Sequence, residues 1–210
     1  RMAETRYADR AAELDRRAAE LAREAAGTLV FVAGSMGPTG SLFEPIGTLT
    51  HAPVVEAYAE QAAALTAGGA DFLLVETMFA FEEALAAIEG AKQGSDLPIV
   101  CSFSFDLGLH TMMGIQPAQV AQRLKPLGLA AIGANCGKSL DFMEQVVHQM
   151  VVVAPGVPVW AKPNAGMPVA GLWPPEYDVG PEEMGEYAVR FISAGAQIVG
   201  GCCGSTPAHV

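Results

Sequence analysis

The chain has 210 residues, 12 Lys+Arg against 23 Asp+Glu and a formal net charge of −11, and is 51% hydrophobic but only 17% charged. This composition excludes a disordered, solvating chain and is enough for one sizeable core, while the acidity argues against nucleic acid or an anionic membrane surface as the main partner. No apolar run reaches the roughly 18 residues of a membrane span, and the start Arg1-Met2-Ala3-Glu4 has no secretion signal, so the expected location is cytoplasmic.

Residues 2–26 read as an amphipathic helix. Tyr7, Ala11, Leu14, Ala18, Leu21 and Ala25 recur at spacings of four and three, Arg10, Glu13, Arg17, Glu20 and Glu24 fill the other faces, and Gly27 ends the run. The period then changes. Residues 28–33, Thr-Leu-Val-Phe-Val-Ala, form a short apolar run closed by Gly34, the pattern of a strand buried on both faces. Helices are then expected over 54–67, 82–92, 117–125, 140–153 and 181–194, and strands over 71–76, 98–104, 129–135, 157–162 and 196–200. Pro117 and Pro181 stand at helix starts, where a missing N–H costs nothing. Strict alternation without a hairpin signal predicts an α/β chain with a parallel sheet. An open doubly wound sheet and a (β/α)₈ TIM barrel both fit, and six strands are two short of the closed barrel.

Polar and reactive residues gather just after the strands, where parallel sheets carry their sites. They are the 34–40 loop (Gly-Ser-Met-Gly-Pro-Thr-Gly), Glu76-Thr77, Asn135-Cys136-Gly137, the 162–166 segment (Lys-Pro-Asn-Ala-Gly) and the 200–204 segment (Gly-Gly-Cys-Cys-Gly). The 34–40 loop matches neither phosphate-binding glycine pattern, and Pro38 removes a donor, so a tight turn lining a site is the better reading. Glu76 ends an apolar strand and needs a partner, either a cationic substrate group or Lys162. Asn164 fits a turn cap or a ligand contact. His51, His110, His148 and His209 form no metal-like pattern.

Of the four cysteines, Cys101 lies inside a strand and suits core packing. Cys202 and Cys203 are adjacent between glycines, whose backbone freedom lets both sulfurs turn to one ion. Cys136 ends another strand, and three thiolates make a tetrahedral zinc site with one open position. A vicinal disulfide or inert buried thiols fit the same spacing.

The segments 133–137 (Gly-Ala-Asn-Cys-Gly), 162–168 (Lys-Pro-Asn-Ala-Gly-Met-Pro) and 200–207 (Gly-Gly-Cys-Cys-Gly-Ser-Thr-Pro) resemble the zinc-dependent homocysteine S-methyltransferases. That family includes betaine–homocysteine methyltransferase and the homocysteine module of cobalamin-dependent methionine synthase. The segments 32–40 and 69–77 fit as well, and the order is kept along essentially the whole chain. The resemblance implies a (β/α)₈ barrel domain over residues 1–210 and Zn²⁺ held by Cys136, Cys202 and Cys203. It further implies homocysteine sulfur as the fourth ligand and an attack by that thiolate on a methyl donor, giving methionine. Betaine, S-methylmethionine and methyl-corrinoid are the donors it offers, the last bringing a corrinoid protein or module as partner. Glu76 is then expected to bind the homocysteine ammonium and Asn164 to line the same pocket. The family's opening strand, with its Asp-Gly-Ala-Met-Gly-Thr-like loop, has no counterpart here. The expectation is a partial barrel of six of eight strands, lacking the N-terminal strands and incomplete at both ends, with part of the homocysteine pocket outside it. The alternatives are methylation of another small thiol or selenol such as selenocysteine, and a non-catalytic zinc-thiolate protein.

Overall fold

Arg23, in the last turn of α1 (Ala11–Ala26), ties that helix to the strands after it. Its guanidinium donates to the carbonyls of Gly27 at 2.9 Å, Gly69 at 3.1 Å and Val30 at 3.2 Å, and to the Asp71 carboxylate. Asp71 in turn accepts the Val32 N–H at 2.6 Å, and the Asp71 N–H donates back to the Val32 carbonyl at 2.8 Å. This knot sets the register of β1 (Ala33–Met36) on β2 (Phe72–Met78), which run parallel with Ala33 opposite Phe72 and Met36 opposite Val75.

The computed structural model describes residues 5–169, 171 and 174–210, in two compact units that divide between Cys101 and Ser102. The first unit holds a 3₁₀ turn (Ala8–Arg10), α1, β1, α2 (His51–Ala67), β2, α3 (Phe81–Gly94) and the start of β3 (Ile99–Phe103). Its core includes Met36, Leu73, Val75, Met78 and Phe81, all 2% exposed or less. The second unit holds the end of β3, α4 (Pro117–Leu124), β4 (Ala131–Cys136), α5 (Leu140–Val153), β5 (Val159–Pro163), α6 (Pro181–Ser193) and β6 (Ile198–Val199). Phe103, Leu124, Ile132, Met150 and Phe191 are fully buried there.

Strand order follows chain order, β1 to β6, and β4–β5 and β5–β6 are parallel pairs like β1–β2. The six expected strands and the α/β alternation are therefore present. Pro117 and Pro181 open α4 and α6, and Gln116 and Gln119 cap α4 reciprocally through side chain and backbone.

The first expected strand is displaced. The strand begins at Ala33, not at Thr28, and Leu29, Val30 and Phe31 are 96%, 61% and 81% exposed. Apolarity alone suggested burial on both faces, but the Asp71 carboxylate takes the Val32 N–H and pairing with β2 starts only one residue later. From Phe31 to Met36 the chain alternates exposed and buried, so one face of this segment is open. The first expected helix is also shorter: its regular part starts at Ala11, and residues 2–4 lie outside the described residues. No helix among the described residues is long and apolar enough to cross a membrane.

Candidate metal centre

β4 ends its buried run Ala131-Ile132-Gly133-Ala134 with Asn135 and Cys136. Cys136 has φ 59°, a left-handed conformation that non-glycine residues seldom adopt, and Gly137 continues it with φ 83°. Two left-handed residues in succession turn the chain sharply out of the sheet.

The end of β5 is stitched to both cysteine segments. On one side the Asn164 N–H donates to the Cys136 carbonyl at 3.3 Å and Asn164 Nδ2 to the Gly137 carbonyl at 3.2 Å. On the other, the Cys202 N–H donates to Pro163 O at 2.7 Å, the Ala165 N–H to Cys203 O at 2.9 Å and the Cys203 N–H to Asn164 Oδ1 at 3.1 Å. Gly204 closes the double-cysteine segment at φ 79°. A Cβ there would stand 2.2 Å from the Tyr177 ring, so this position needs glycine.

The result is a thiol cluster. The Sγ atoms of Cys136, Cys202 and Cys203 all lie within 4.8 Å of one another, with Cys136 and Cys202 at 3.4 Å. Tetrahedral thiolate zinc, with Zn–S near 2.3 Å, sets its sulfurs roughly 3.8 Å apart, so the cluster fits that ion after small side-chain adjustments. All four cysteines are free thiols, which leaves no vicinal disulfide between Cys202 and Cys203. Cys136 and Cys202 are half-buried and Cys203 is exposed, so one side of the cluster is open. Cys101 is fully buried, and burial alone pushes its thiol far up, as suits packing.

The three thiols do not ionise alike. Cys202 is held down to about 5, chiefly because the Cys136 thiol donates to it, with help from the Lys162 charge and backbone amides. Cys136 is driven up by that same hydrogen bond, then by burial and the Cys202 charge. Cys203 is raised by burial first and by the Cys202 charge next. At neutral pH the cluster without a metal thus holds one thiolate and two thiols.

Asn135, fully buried, sends Nδ2 toward Cys136 Sγ at 3.2 Å and Cys202 Sγ at 3.9 Å, while its Oδ1 accepts from Ser102 Oγ at 2.6 Å. Sequence reasoning placed Asn135 only within the strand-end segment 135–137, gave it no role of its own, and missed Ser102. The available signal was an Asn closing a wholly apolar strand, since a buried carboxamide requires partners.

Of the residues expected at the site, the structure brings Cys136, Cys202, Cys203 and Asn164 together. Glu76 belongs to the first unit, on β2, where it is half-buried and accepts from Ser35 Oγ at 2.6 Å. The next residue, Thr77, has φ 62°, an outlier for a β-branched residue. In the 34–40 loop the Thr39 N–H donates to Glu83 Oε1 at 2.6 Å, and Tyr58 OH lies 3.1 Å from that oxygen and 3.0 Å from Gly37 O. The loop spends that amide on a protein carboxylate, which supports a tight turn over a phosphate cradle. Glu83, 1% exposed, was also missed. A groove of about 900 Å³ on the α5 and α6 side, lined by Asp141, Glu144, His148 and Arg190 among others, includes none of the thiols.

The model of the homocysteine S-methyltransferase family matches residues 1–210. The chain is 34% identical over 186 residues to a methionine synthase of Mycobacterium tuberculosis (strain ATCC 25618 / H37Rv), covering 86% of this chain and 15% of that protein. A methionine synthase of Mycobacterium leprae (strain TN) matches at 33% identity with the same coverage. The chain therefore spans about 15% of the length of these curated relatives. Among solved structures, the apo form of the homocysteine methyltransferase MmuM from Escherichia coli superposes with a TM-score of 0.74 at 26% identity, covering 96% of this chain and 71% of that one.

Proposed function

Because the chain belongs to the homocysteine S-methyltransferase family, we propose that it methylates the sulfur of homocysteine at a zinc centre formed by Cys136, Cys202 and Cys203. The observation that carries this reading is the meeting of three sulfurs within 4.8 Å from two separate strand ends. Zinc bound there supplies Lewis acidity that keeps a fourth, substrate thiol ionised at neutral pH. The rest falls to the chain's own residues. Cys203 lies on the open side, which gives an incoming thiol its approach. Lys162, whose charge reaches Cys202, offsets part of the negative charge of the cluster. The turn at Cys136–Gly137 and the Asn164 stitches hold the sulfurs converged before any metal arrives, which lowers the ordering cost of binding.

Glu76 is proposed to take the homocysteine ammonium, with Ser35 orienting its carboxylate. Asn164 is proposed as a wall of the homocysteine pocket, its amide already engaged by Gly137 and Cys203. The methyl donor is proposed to be betaine, S-methylmethionine or a methyl-corrinoid, the last delivered by a corrinoid protein or module.

Metal analysis of the purified protein tests the centre: stoichiometric zinc is expected, and its loss in Cys202→Ser. Zinc content that is substoichiometric and unchanged by that substitution would overturn the reading. X-ray absorption then checks the substrate, with one sulfur added to the zinc shell on adding homocysteine. An unchanged shell would favour a closed, non-catalytic zinc-thiolate site. Methionine formation across the three donors identifies the donor, and competition with selenocysteine identifies the acceptor.

A further inference from the structure

The methyl-transfer reading leaves a chemical problem. A zinc-bound cysteine thiolate is itself a nucleophile, and a methyl donor that meets Cys136 or Cys202 would destroy the site. Asn135 and Ser102 bear on that problem. Asn135 is fully buried and Ser102 is 3% exposed, and both lie in the second unit. The Asn135 amide faces Cys136 Sγ at 3.2 Å and Cys202 Sγ at 3.9 Å.

Chemistry fixes the orientation of this amide. A metal-bound thiolate can only accept, so the –NH₂ end must face the sulfurs. The carbonyl end then faces Ser102, which must donate, as its 2.6 Å Oγ–Oδ1 distance fits. Nothing else in this arrangement can rotate without losing a buried hydrogen bond. A donor held on a thiolate draws electron density from the sulfur, and because Asn135 is itself fully buried little solvent competes for its amide.

We propose that Ser102 and Asn135 act as a positioning pair that damps the nucleophilicity of Cys136 and Cys202, so that a methyl group is directed to the substrate thiol and away from the ligands. This rests on the zinc reading above. Neither residue touches substrate; both act through the cysteine sulfurs.

The test uses zinc-loaded full chain without homocysteine, exposed to iodomethane. Any ligand methylated forms its S–C bond as the C–I bond breaks and iodide leaves, and peptide mass spectrometry locates the methyl group. Asn135→Leu, similar in volume but without donors, is expected to methylate at Cys136 about tenfold faster, the fold-change of a lost hydrogen bond to a charged acceptor. Ser102→Ala, which releases the amide without removing it, is expected to give a smaller increase of roughly threefold. In the cobalt-substituted protein the sulfur-to-metal charge-transfer band should move to lower energy in the same order, a readout that a purely structural role would leave in place. Equal methylation rates and an unmoved band in folded, metal-loaded Asn135→Leu would overturn the proposal. If that variant does not fold, the same null result in Ser102→Ala overturns it. A wild-type chain that takes up neither zinc nor cobalt overturns this proposal together with the zinc reading, whereas a loaded wild type with unresponsive variants overturns this one alone.

Discussion

Three segments of the first unit and the segments around the thiols of the second are held with different chemistry. In the first, carboxylates do the holding: Asp71 takes Val32 and Arg23, Glu83 takes Thr39, and Glu76 takes Ser35. In the second, carboxamides do it around the thiols: Asn135 joins Ser102 to the sulfurs, and Asn164 joins Gly137 to Cys203. A carboxylate is acceptor-only and anionic, which suits a loop offering free N–H groups. Beside a cluster proposed to carry three thiolates on zinc it would add repulsion, whereas a carboxamide both donates and accepts without charge. The difference follows from what each loop has to present.

The comparison breaks first at the thiols. Cys202→Ser should lower zinc affinity by more than about a hundredfold, beyond the range for residues behind the ligands, as measured by competition with a chromophoric chelator. Exchanging the chemistry of the two regions sharpens it. Glu83→Ala should cost about 1–2 kcal/mol in chemical denaturation, because it leaves the half-buried Thr39 N–H without this acceptor, while the Tyr58 hydroxyl keeps Gly37 O. Asn164→Asp should weaken zinc about tenfold, since it replaces the donor to Gly137 O with an oxygen that repels that carbonyl and adds a negative charge between the two cysteine segments. If Asn164→Asp bound zinc as well as wild type, the charge argument would fail.

Proton release is a smaller effect with a definite sign. Cys202 sits near 5 and is already ionised at pH 7, while Cys136 and Cys203 lie above the ordinary thiol value and are protonated. Zinc uptake at pH 7 should therefore release about two protons rather than three, read by calorimetry in buffers of different ionisation enthalpy. Affinity should rise with pH throughout that range. Release of three would mean that Cys202 is not held down. Smallest is the Asp71 knot. Its carboxyl is depressed, first by the Val32 N–H and then by Arg23. The stability it contributes is present above the unfolded value near pH 4 and is lost as pH falls through its lower folded value. Asp71→Asn should flatten that acid limb of the stability curve and little else.

Much of this was legible in the residues. Alternating helical and apolar runs gave the six strands, because parallel strands covered on both faces read as unbroken apolar segments. The thiols were legible because reactive side chains on such folds collect at strand ends. The start of β1 was not, since its boundary is set by Asp71, 38 residues beyond Ala33, through a hydrogen bond that no local pattern encodes. Asn135 was visible within a motif, but its partner Ser102 lies 33 residues earlier on another strand, and only the fold brings the two together. Glu83 looked like one of the acidic residues normal in the first turn of a helix and is instead buried, because the 34–40 loop folds over it.

Cys136 and Cys202 are 66 residues apart in the chain. A metal joining them is therefore also a cross-link, and closing a loop of that size restricts the unfolded chain by an amount that, on the chain-entropy scale, is worth about 4 kcal/mol. Cys203, adjacent to Cys202, adds almost nothing to that restriction. The ion proposed for the chemistry would thus also act as a clasp across the second unit, and stripping it should lower resistance to heat and proteolysis even where every side chain is intact.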